Sequence, residues 1–148
     1  MATSKMRLRI VTPENIKYDE DVEMVILRCI TGDWGILPRH APYSAILDSG
    51  VLRILNDRAE RRMAVFGGIA QVQDNVVTIL SNEAQWPEDI DVAFAESERE
   101  RISALMQDTD GVDRSELQRE RTNLHRISVQ IKVGSYKAST ITELEEDV

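Results

Sequence analysis

Val76-Val-Thr-Ile-Leu80, then Ser81-Asn-Glu-Ala-Gln-Trp86-Pro87, then Glu88-Asp-Ile-Asp-Val-Ala-Phe94-Ala-Glu-Ser-Glu-Arg-Glu-Arg101 is the stretch in which the chain changes its period. Val76–Leu80 is a short β-branched run of the kind that packs on a pleated surface. Beyond Pro87 the spacing turns helical: Ile90, Phe94, Arg101 and Leu105 share one face, with Ala93 and Ser97 beside it. Asp89, just before Ile90, is the expected N-cap. The chain therefore divides at residue 87 into a strand-rich part and a helical part.

Upstream of that boundary the strand signals repeat. Leu8 and Ile10 alternate with Arg7 and Arg9; Met24, Ile26 and Arg28 alternate with Val25, Leu27 and Cys29. Val51–Leu55, Arg62–Phe66 and Ile69–Gln73 follow the same rule. Turn residues separate them at Pro13–Asn15, Asn56-Asp57 and Asp74-Asn75, and Gly67-Gly68 reads as a bulge or a close backbone approach. Many short strands at close spacing predict a sandwich or barrel, and apolar residues on both strand faces favour a sandwich with a second packing surface.

Downstream, Gln107–Gly111 reads as a turn, and a second helix is expected from about Asp113 to Val133, ended by Gly134, with Leu117, Leu124, Ile127 and Ile131 in a narrow stripe. The two helices make an αα-hairpin. Thin apolar stripes interrupted by Ser97, Arg101, Asp113 and Glu120 predict weak docking, so the hairpin is a candidate moving part. The expected organisation is α+β: a sandwich over residues 1–87, a hairpin over 88–134, and an acidic, flexible tail over 135–148.

Charge narrows the function. A net charge of −8 argues against a nucleic-acid binder. It is unevenly placed: residues 1–87 carry −1, residues 88–111 carry −6, residues 112–137 carry +3 and the last eleven carry −4. An acidic helix followed by a basic one suggests two elements that pair, or a basic one kept for an acidic partner. No apolar run approaches the roughly 20 residues a membrane-spanning helix needs, and the N-terminus resembles neither a signal peptide nor a transit sequence.

The chemistry-bearing residues are few. Cys29 is the only cysteine, in an apolar run, which excludes an intrachain disulfide and reads as a small buried hydrophobe. His40 and His125 are 85 residues apart with no ligand-spaced cluster, so no metal site is expected. Gly32-Asp-Trp-Gly-Ile-Leu-Pro-Arg-His-Ala-Pro42 predicts an irregular, rigid loop after a strand; it lacks the Gly-Lys-Ser/Thr ending of a phosphate cradle. His40 has no paired nucleophile or orienting acid, so an enzyme built on it is disfavoured. On the second helix, Arg114, Arg121, His125 and Lys132 line one side and Arg119 and Arg126 form another row. Pairing within the hairpin and docking on an acidic partner both account for these rows.

In order and spacing these features resemble the bacterial-type epsilon-subunit family of F-type ATP synthases, the equivalent of mitochondrial delta. The carrying residues are Leu8-x-Ile10-x-Thr12-Pro13, Gly32-x-x-Gly35-Ile36-Leu37-Pro38-x-His40-Ala41-Pro42, Leu47-x-x-Gly50-x-Leu52-x-Ile54, Ala64-Val65-x-Gly67-Gly68-x-x-x-Val72 and Asn75-x-Val77-Thr78-Ile79-Leu80, with Ile90-Asp91 opening the hairpin.

The resemblance implies a ten-stranded sandwich that binds the gamma subunit and rests on the c-subunit ring. It also implies a hairpin that extends along gamma and restrains ATP hydrolysis, with no catalytic group in this chain. The location it implies is peripheral, at the cytoplasmic face of the cell membrane, in a proton- or sodium-driven enzyme. Asp33 and His40 match the positions facing the c ring. Arg114, Arg121, Arg126 and Lys132 match the basic residues that meet the alpha/beta catalytic subunits, which favours the partner reading of the basic rows.

Some members of the family bind ATP at the start of the first helix, where the matching residues are Glu83, Asp91, Ala95 and Arg101. Phe94 stands where that motif has arginine, so no cofactor is expected and ATP binding is doubtful. Arg39 stands where the family often has glycine. A free-standing sandwich adaptor and a nucleotide-sensing module are the competing readings.

Overall fold

The computed structural model describes residues 4–136. Eight strands come first: β1 (Met6–Val11), β2 (Ile16–Val22), β3 (Met24–Cys29), β4 (Gly32–Ile36), β5 (Tyr43–Asn56), β6 (Ala59–Gln73), β7 (Val76–Leu80) and β8 (Ala84–Gln85). A 3-10 turn at Pro87–Asp89 leads to α1 (Val92–Gln107) and α2 (Arg114–Gly134). The strands hydrogen-bond in the order β2-β1-β7-β6-β5-β3-β4, with β8 on β6, and one core takes side chains from all of them. The sheet is thus folded over on itself as a sandwich.

The expected count of ten strands becomes eight because β5 and β6 are continuous over 14 and 15 residues. The two halves of β6 have different neighbours: Ala64 and Val65 pair with β8, while Ile69–Gln73 pair with β7. Gly67 and Gly68 lie between the halves with φ of 75° and 124°. A Cβ on Gly68 would lie 2.1 Å from the Leu80 carbonyl oxygen, so only glycine admits this approach. Counting β5 and β6 once per layer restores ten.

Burial along β1 alternates, with Met6, Leu8 and Ile10 inside and the arginines out. In β3, Val25, Leu27 and Cys29 face the core, as expected for a small buried hydrophobe at Cys29; burial and then Asp33 push its thiol pKa up. The β5–β6 and β6–β7 hairpins close through Asp57-Arg58 and Asp74-Asn75, all with positive φ, the two-residue turns that match strand twist. The first turn therefore sits one residue beyond its expected place.

Three strands, β2, β4 and the two-residue β8, were not anticipated. β2 was hidden by the charged run Asp19-Glu-Asp21; only Tyr18 and Val22 are buried in it. Gly32–Ile36, read as irregular loop, is strand β4 antiparallel to β3, and the irregular part is confined to residues 37–42. At Arg39 the backbone is left-handed, φ 65°, which explains the preference for glycine there.

Asp91, not Asp89, caps α1: its carboxylate accepts from the Phe94 N–H at 3.0 Å. Asp113 caps α2 through Ser115. Gly134 does not terminate α2; it is the last helical residue, and a Cβ there would lie 2.5 Å from Val92 Cγ2. Its smallness lets the end of α2 pack on the start of the hairpin. The hairpin interior is built from Ala95, Ile102 and Ile127, with Met106, Leu124 and Ile131. The expected α1 stripe through Phe94 is therefore displaced by one residue: Phe94 is 63% exposed and does not pack the hairpin onto the sandwich. That contact is made by Val129 and Val133 of α2 on Ala64, with Val51, Phe66 and Ile90 around them.

Ser135 and Tyr136, assigned to the tail from sequence, belong to the folded part. Tyr136 donates its hydroxyl to the Glu60 carbonyl and lies under the Arg62 guanidinium. The rest of the acidic-tail reading, from residue 137, falls outside the described residues.

Candidate functional site

The outer face of the β5–β6 half of the sandwich carries α2. Arg126 reaches Glu83 at 2.5 Å and stacks over the Phe66 ring at 4.1 Å. Gln130 donates to Gln85, and His125 Nε2 lies 3.0 Å from the Ser49 carbonyl, to which it donates. The apolar patch between α2 and the sandwich is small and is framed by these polar contacts at its rim.

The basic residues of α2 thus separate into two groups. Arg126 is tied to the sandwich. Arg114, Arg121 and Lys132 are exposed and make no ion pair among the described residues. Between the helices the described ion pair is Arg101–Glu120, with a cation from α1 and a carboxylate from α2. This is the reverse of the polarity expected if acidic α1 were to neutralise basic α2.

Beside the contact of α2 with the sandwich, β4 places Asp33 and Trp34 on alternate faces, with Asp33 lining a groove that also takes His125 and Lys132 of α2. Asp33 is exposed beside Arg28 at 3.1 Å, its partner across the β3–β4 pair. Trp34 packs against the core and meets His40 and Tyr43 edge-on, with ring centres 5.4 and 5.0 Å away. His40 Nδ1 donates to the Ala41 carbonyl at 2.7 Å. Asp33 thus lines the groove beneath α2, whereas His40 packs on Trp34, and the two do not share a contact. Trp34 and Tyr43 were not singled out from sequence; their spacing around the Gly-Pro loop was the available signal.

Of the four residues matched to a nucleotide motif, Asp91 and Ala95 line a groove between the helices and the 3-10 turn. Glu83 is held by Arg126, and Arg101 by Glu98 and Glu120; neither Glu83 nor Arg101 lines that groove. The groove also presents Asp89 and Glu98, and Arg126 is its one cation among the described lining residues.

A surface absent from the sequence reading is a row of apolar side chains across three strands and the turn after β3. Ile46 pairs with Ile69, Ile69 pairs with Leu80, and the Ile30 N–H donates to the Ile46 carbonyl. All four are more than half exposed. Cross-strand pairing puts them side by side as one continuous apolar strip.

No described helix is long and apolar enough to cross a membrane. No group of three metal-ligating side chains occurs among the described residues.

Residues 5–87 match the family "ATP synthase, Delta/Epsilon chain, beta-sandwich domain". The ATP synthase epsilon chain of Alkalihalophilus pseudofirmus is 40% identical over 112 residues, 74% of this chain and 84% of that protein. The epsilon chain of Bacillus subtilis is 41% identical over 109 residues, covering 71% and 83%. That of Caldicellulosiruptor bescii is 34% identical over 131 residues, covering 88% and 94%. In fold, the chain is similar to one in the Euglena gracilis mitochondrial ATP synthase OSCP/F1/c-ring structure, with a TM-score of 0.76, 21% identity, and coverage of 89% and 82%. With the sandwich, the Gly-Gly crossing and the two-helix appendage all in place, the chain belongs to the family of bacterial ATP synthase epsilon chains.

Proposed function

We propose that this chain is a non-catalytic rotor subunit of the central stalk of a proton- or sodium-driven F-type ATP synthase. Its sandwich joins the gamma subunit to the c ring, and its hairpin restrains ATP hydrolysis when it lifts from the sandwich. The subunit is peripheral, held at the cytoplasmic face of the membrane by the complex. Torque then passes through rigid packing and asks no bond-making chemistry of this chain.

The observation that carries the reading is the division of labour on α2. Arg126 holds the hairpin down, while Arg114, Arg121 and Lys132 face solvent without a partner among the described residues. Cations left unpaired on a weakly docked helix suit an acidic surface on the alpha/beta catalytic subunits. The strip of Ile30, Ile46, Ile69 and Leu80 supports gamma docking, since an exposed apolar row of this extent marks an interaction surface. Asp33 and His40, with Trp34 and Tyr43, are assigned to the c ring.

Reconstitution with gamma, the catalytic subunits and the c ring tests this. Arg114→Glu with Arg121→Glu leaves the docking contacts untouched, so assembly should persist while hydrolysis rises. Unchanged hydrolysis would remove the inhibitory role. Ile46→Asp with Ile69→Asp should abolish gamma binding, and retained binding would relocate that surface.

A further inference from the structure

The groove between α2 and the sandwich faces like charges against each other. Its volume is about 480 Å³, and its charged lining is Arg28, Arg53 and Arg62 from the sheet, His125 and Lys132 from the helix, and Asp33. Two carboxylates answer four permanent cations: Asp33 pairs with Arg28, and Glu60 is shared by Arg53 and Arg62. The site keeps a surplus of two positive charges with His125 neutral, and three with it protonated.

Donors remain as well. Each guanidinium presents five N–H groups. Hydrogen bonds among the described residues occupy one nitrogen of Arg28, two of Arg53 and one of Arg62. Lys132 makes no ion pair among the described residues.

We propose that this groove takes a small multivalent oxyanion of the phosphate or pyrophosphate class. The anion bridges the cations of α2 to those of the sheet and holds the hairpin docked. Several fixed positive charges from two elements, with planar N–H forks among them, are the arrangement that recognises a tetrahedral oxyanion. Without the anion the same charges push α2 away from the sandwich; with it, each pair of like charges becomes a bridge. The groove is distinct from the one between the helices, whose lining is acidic at Asp89, Asp91 and Glu98. The binding step stands independently of the role proposed for the chain in hydrolysis.

Titration calorimetry of the full chain with sodium pyrophosphate at low ionic strength, against sodium chloride as control, tests the site. One saturable event is expected, weakened by added salt. Loss of one charge-assisted contact corresponds to about tenfold in affinity, so Lys132→Gln and Arg28→Gln should each weaken binding by that factor. Arg114→Gln, exposed at the start of α2 and outside the groove, should leave it intact. Amide exchange over residues 125–133 should slow when pyrophosphate is bound. Absence of a saturable event at millimolar pyrophosphate, or binding that survives Lys132→Gln and fails in Arg114→Gln, would overturn the site. Binding without slower exchange in α2 would overturn the clamp.

Discussion

Arg126 on α2 and Glu83 in the connection between β7 and β8 are each other's partners, 2.5 Å apart, with the same guanidinium 4.1 Å from the centre of the Phe66 ring. The family resemblance matched these two side chains to different ligands, Arg126 to the catalytic subunits and Glu83 to a degraded nucleotide motif. In the docked hairpin they satisfy each other, so whatever recruits Arg126 elsewhere must first break this pair. Both partners are partly exposed, so the ion pair is worth up to about 1 kcal/mol and the stacking a further ~0.5–1 kcal/mol.

Charge reversal of Arg126 should therefore loosen the hairpin without unfolding the sandwich. In Arg126→Glu, amide exchange of α2 is expected to accelerate by roughly one decade, the equivalent of about 1.4 kcal/mol, while β1, β6 and β7 keep their protection. The double variant Arg126→Glu/Glu83→Arg should regain the ion-pair share and not the stacking share. Equal protection in all three proteins would mean that the apolar patch at Val129 and Val133 alone holds the hairpin.

The sandwich should fold without the hairpin. Its main core runs from Met6 to Ala84, with Trp86 at its margin, and takes no side chain from α1 or α2. A fragment of residues 1–87 exposes only Ala64, Val51, Phe66 and their neighbours. Cooperative thermal unfolding of that fragment is the expected outcome, and a fragment without near-ultraviolet circular dichroism would refute it.

Much of this organisation was legible in the residues, and what escaped has physical causes. Alternation in β1 was clean because one face is fully buried and the other carries arginines. β2 escaped because two inward residues, Tyr18 and Val22, cannot outweigh three consecutive acids in a periodic reading. The continuity of β5 and β6 escaped because residues 48 and 67–68 look like breaks, whereas the backbone bends there and goes on. On α1 the apolar residues are so sparse that Phe94 attracted the assignment of the buried face, which Ala95 and Ile102 hold. The site was harder still. A charge row shows where cations lie along a helix, but not which of them the rest of the fold neutralises.

Glu60 sets an acid limit on stability. Burial alone would raise its pKa, but hydrogen bonds from Arg53 and Arg62 outweigh that and hold it below its ordinary value of 4.5. An acid whose folded pKa is depressed adds stability that is complete above its unfolded pKa and disappears as pH falls through the lower folded value. Glu60→Gln should cost about 1.5–3 kcal/mol at neutral pH, the worth of hydrogen bonds to charged groups. The gap from the native protein should close below the ordinary carboxylate range. Urea unfolding at several pH values measures this, and a gap independent of pH would show that packing, not charge, is lost.

Gly68 is the tightest point of the sandwich. A methyl group there meets the Leu80 carbonyl at 2.1 Å and Ser81 Cα at 2.9 Å, with φ at 124°. Both objects are backbone and cannot yield as a flexible side chain would. Gly68→Ala is expected to cost roughly 3 kcal/mol or more, at the upper end of single substitutions. Gly111→Ala, in the open loop between the helices, tests positive φ without the clash, since nothing lies within 4 Å of its added Cβ. It should cost about 1 kcal/mol. Equal losses at the two sites would show that backbone conformation alone, and not close approach, fixes glycine at residue 68.

ATP should bind poorly. A triphosphate carries several negative charges, and desolvating them needs fixed cations. The groove between the helices offers Arg126, which Glu83 already holds, and surrounds it with the carboxylates of Asp89, Asp91 and Glu98. Phe94, 63% exposed at its edge, supplies no charge. Arg101 is engaged by Glu98 and Glu120 and does not line the groove. Asp91 is committed to capping α1, and Ala95 is buried against α2. Calorimetry with ATP should therefore show no micromolar site. Weak heat from the triphosphate alone should be reproduced by pyrophosphate and lost in Lys132→Gln, which places it in the other groove. Phe94→Arg adds the absent cation next to three acids, so the gain should stay within about tenfold. Neutralising Glu98 as well should enlarge it, because Glu98→Gln both removes a repelling carboxylate and releases Arg101. Micromolar binding by the native chain would mean that Arg126 leaves Glu83 for the nucleotide, and that ATP pulls on the contact that keeps the hairpin down.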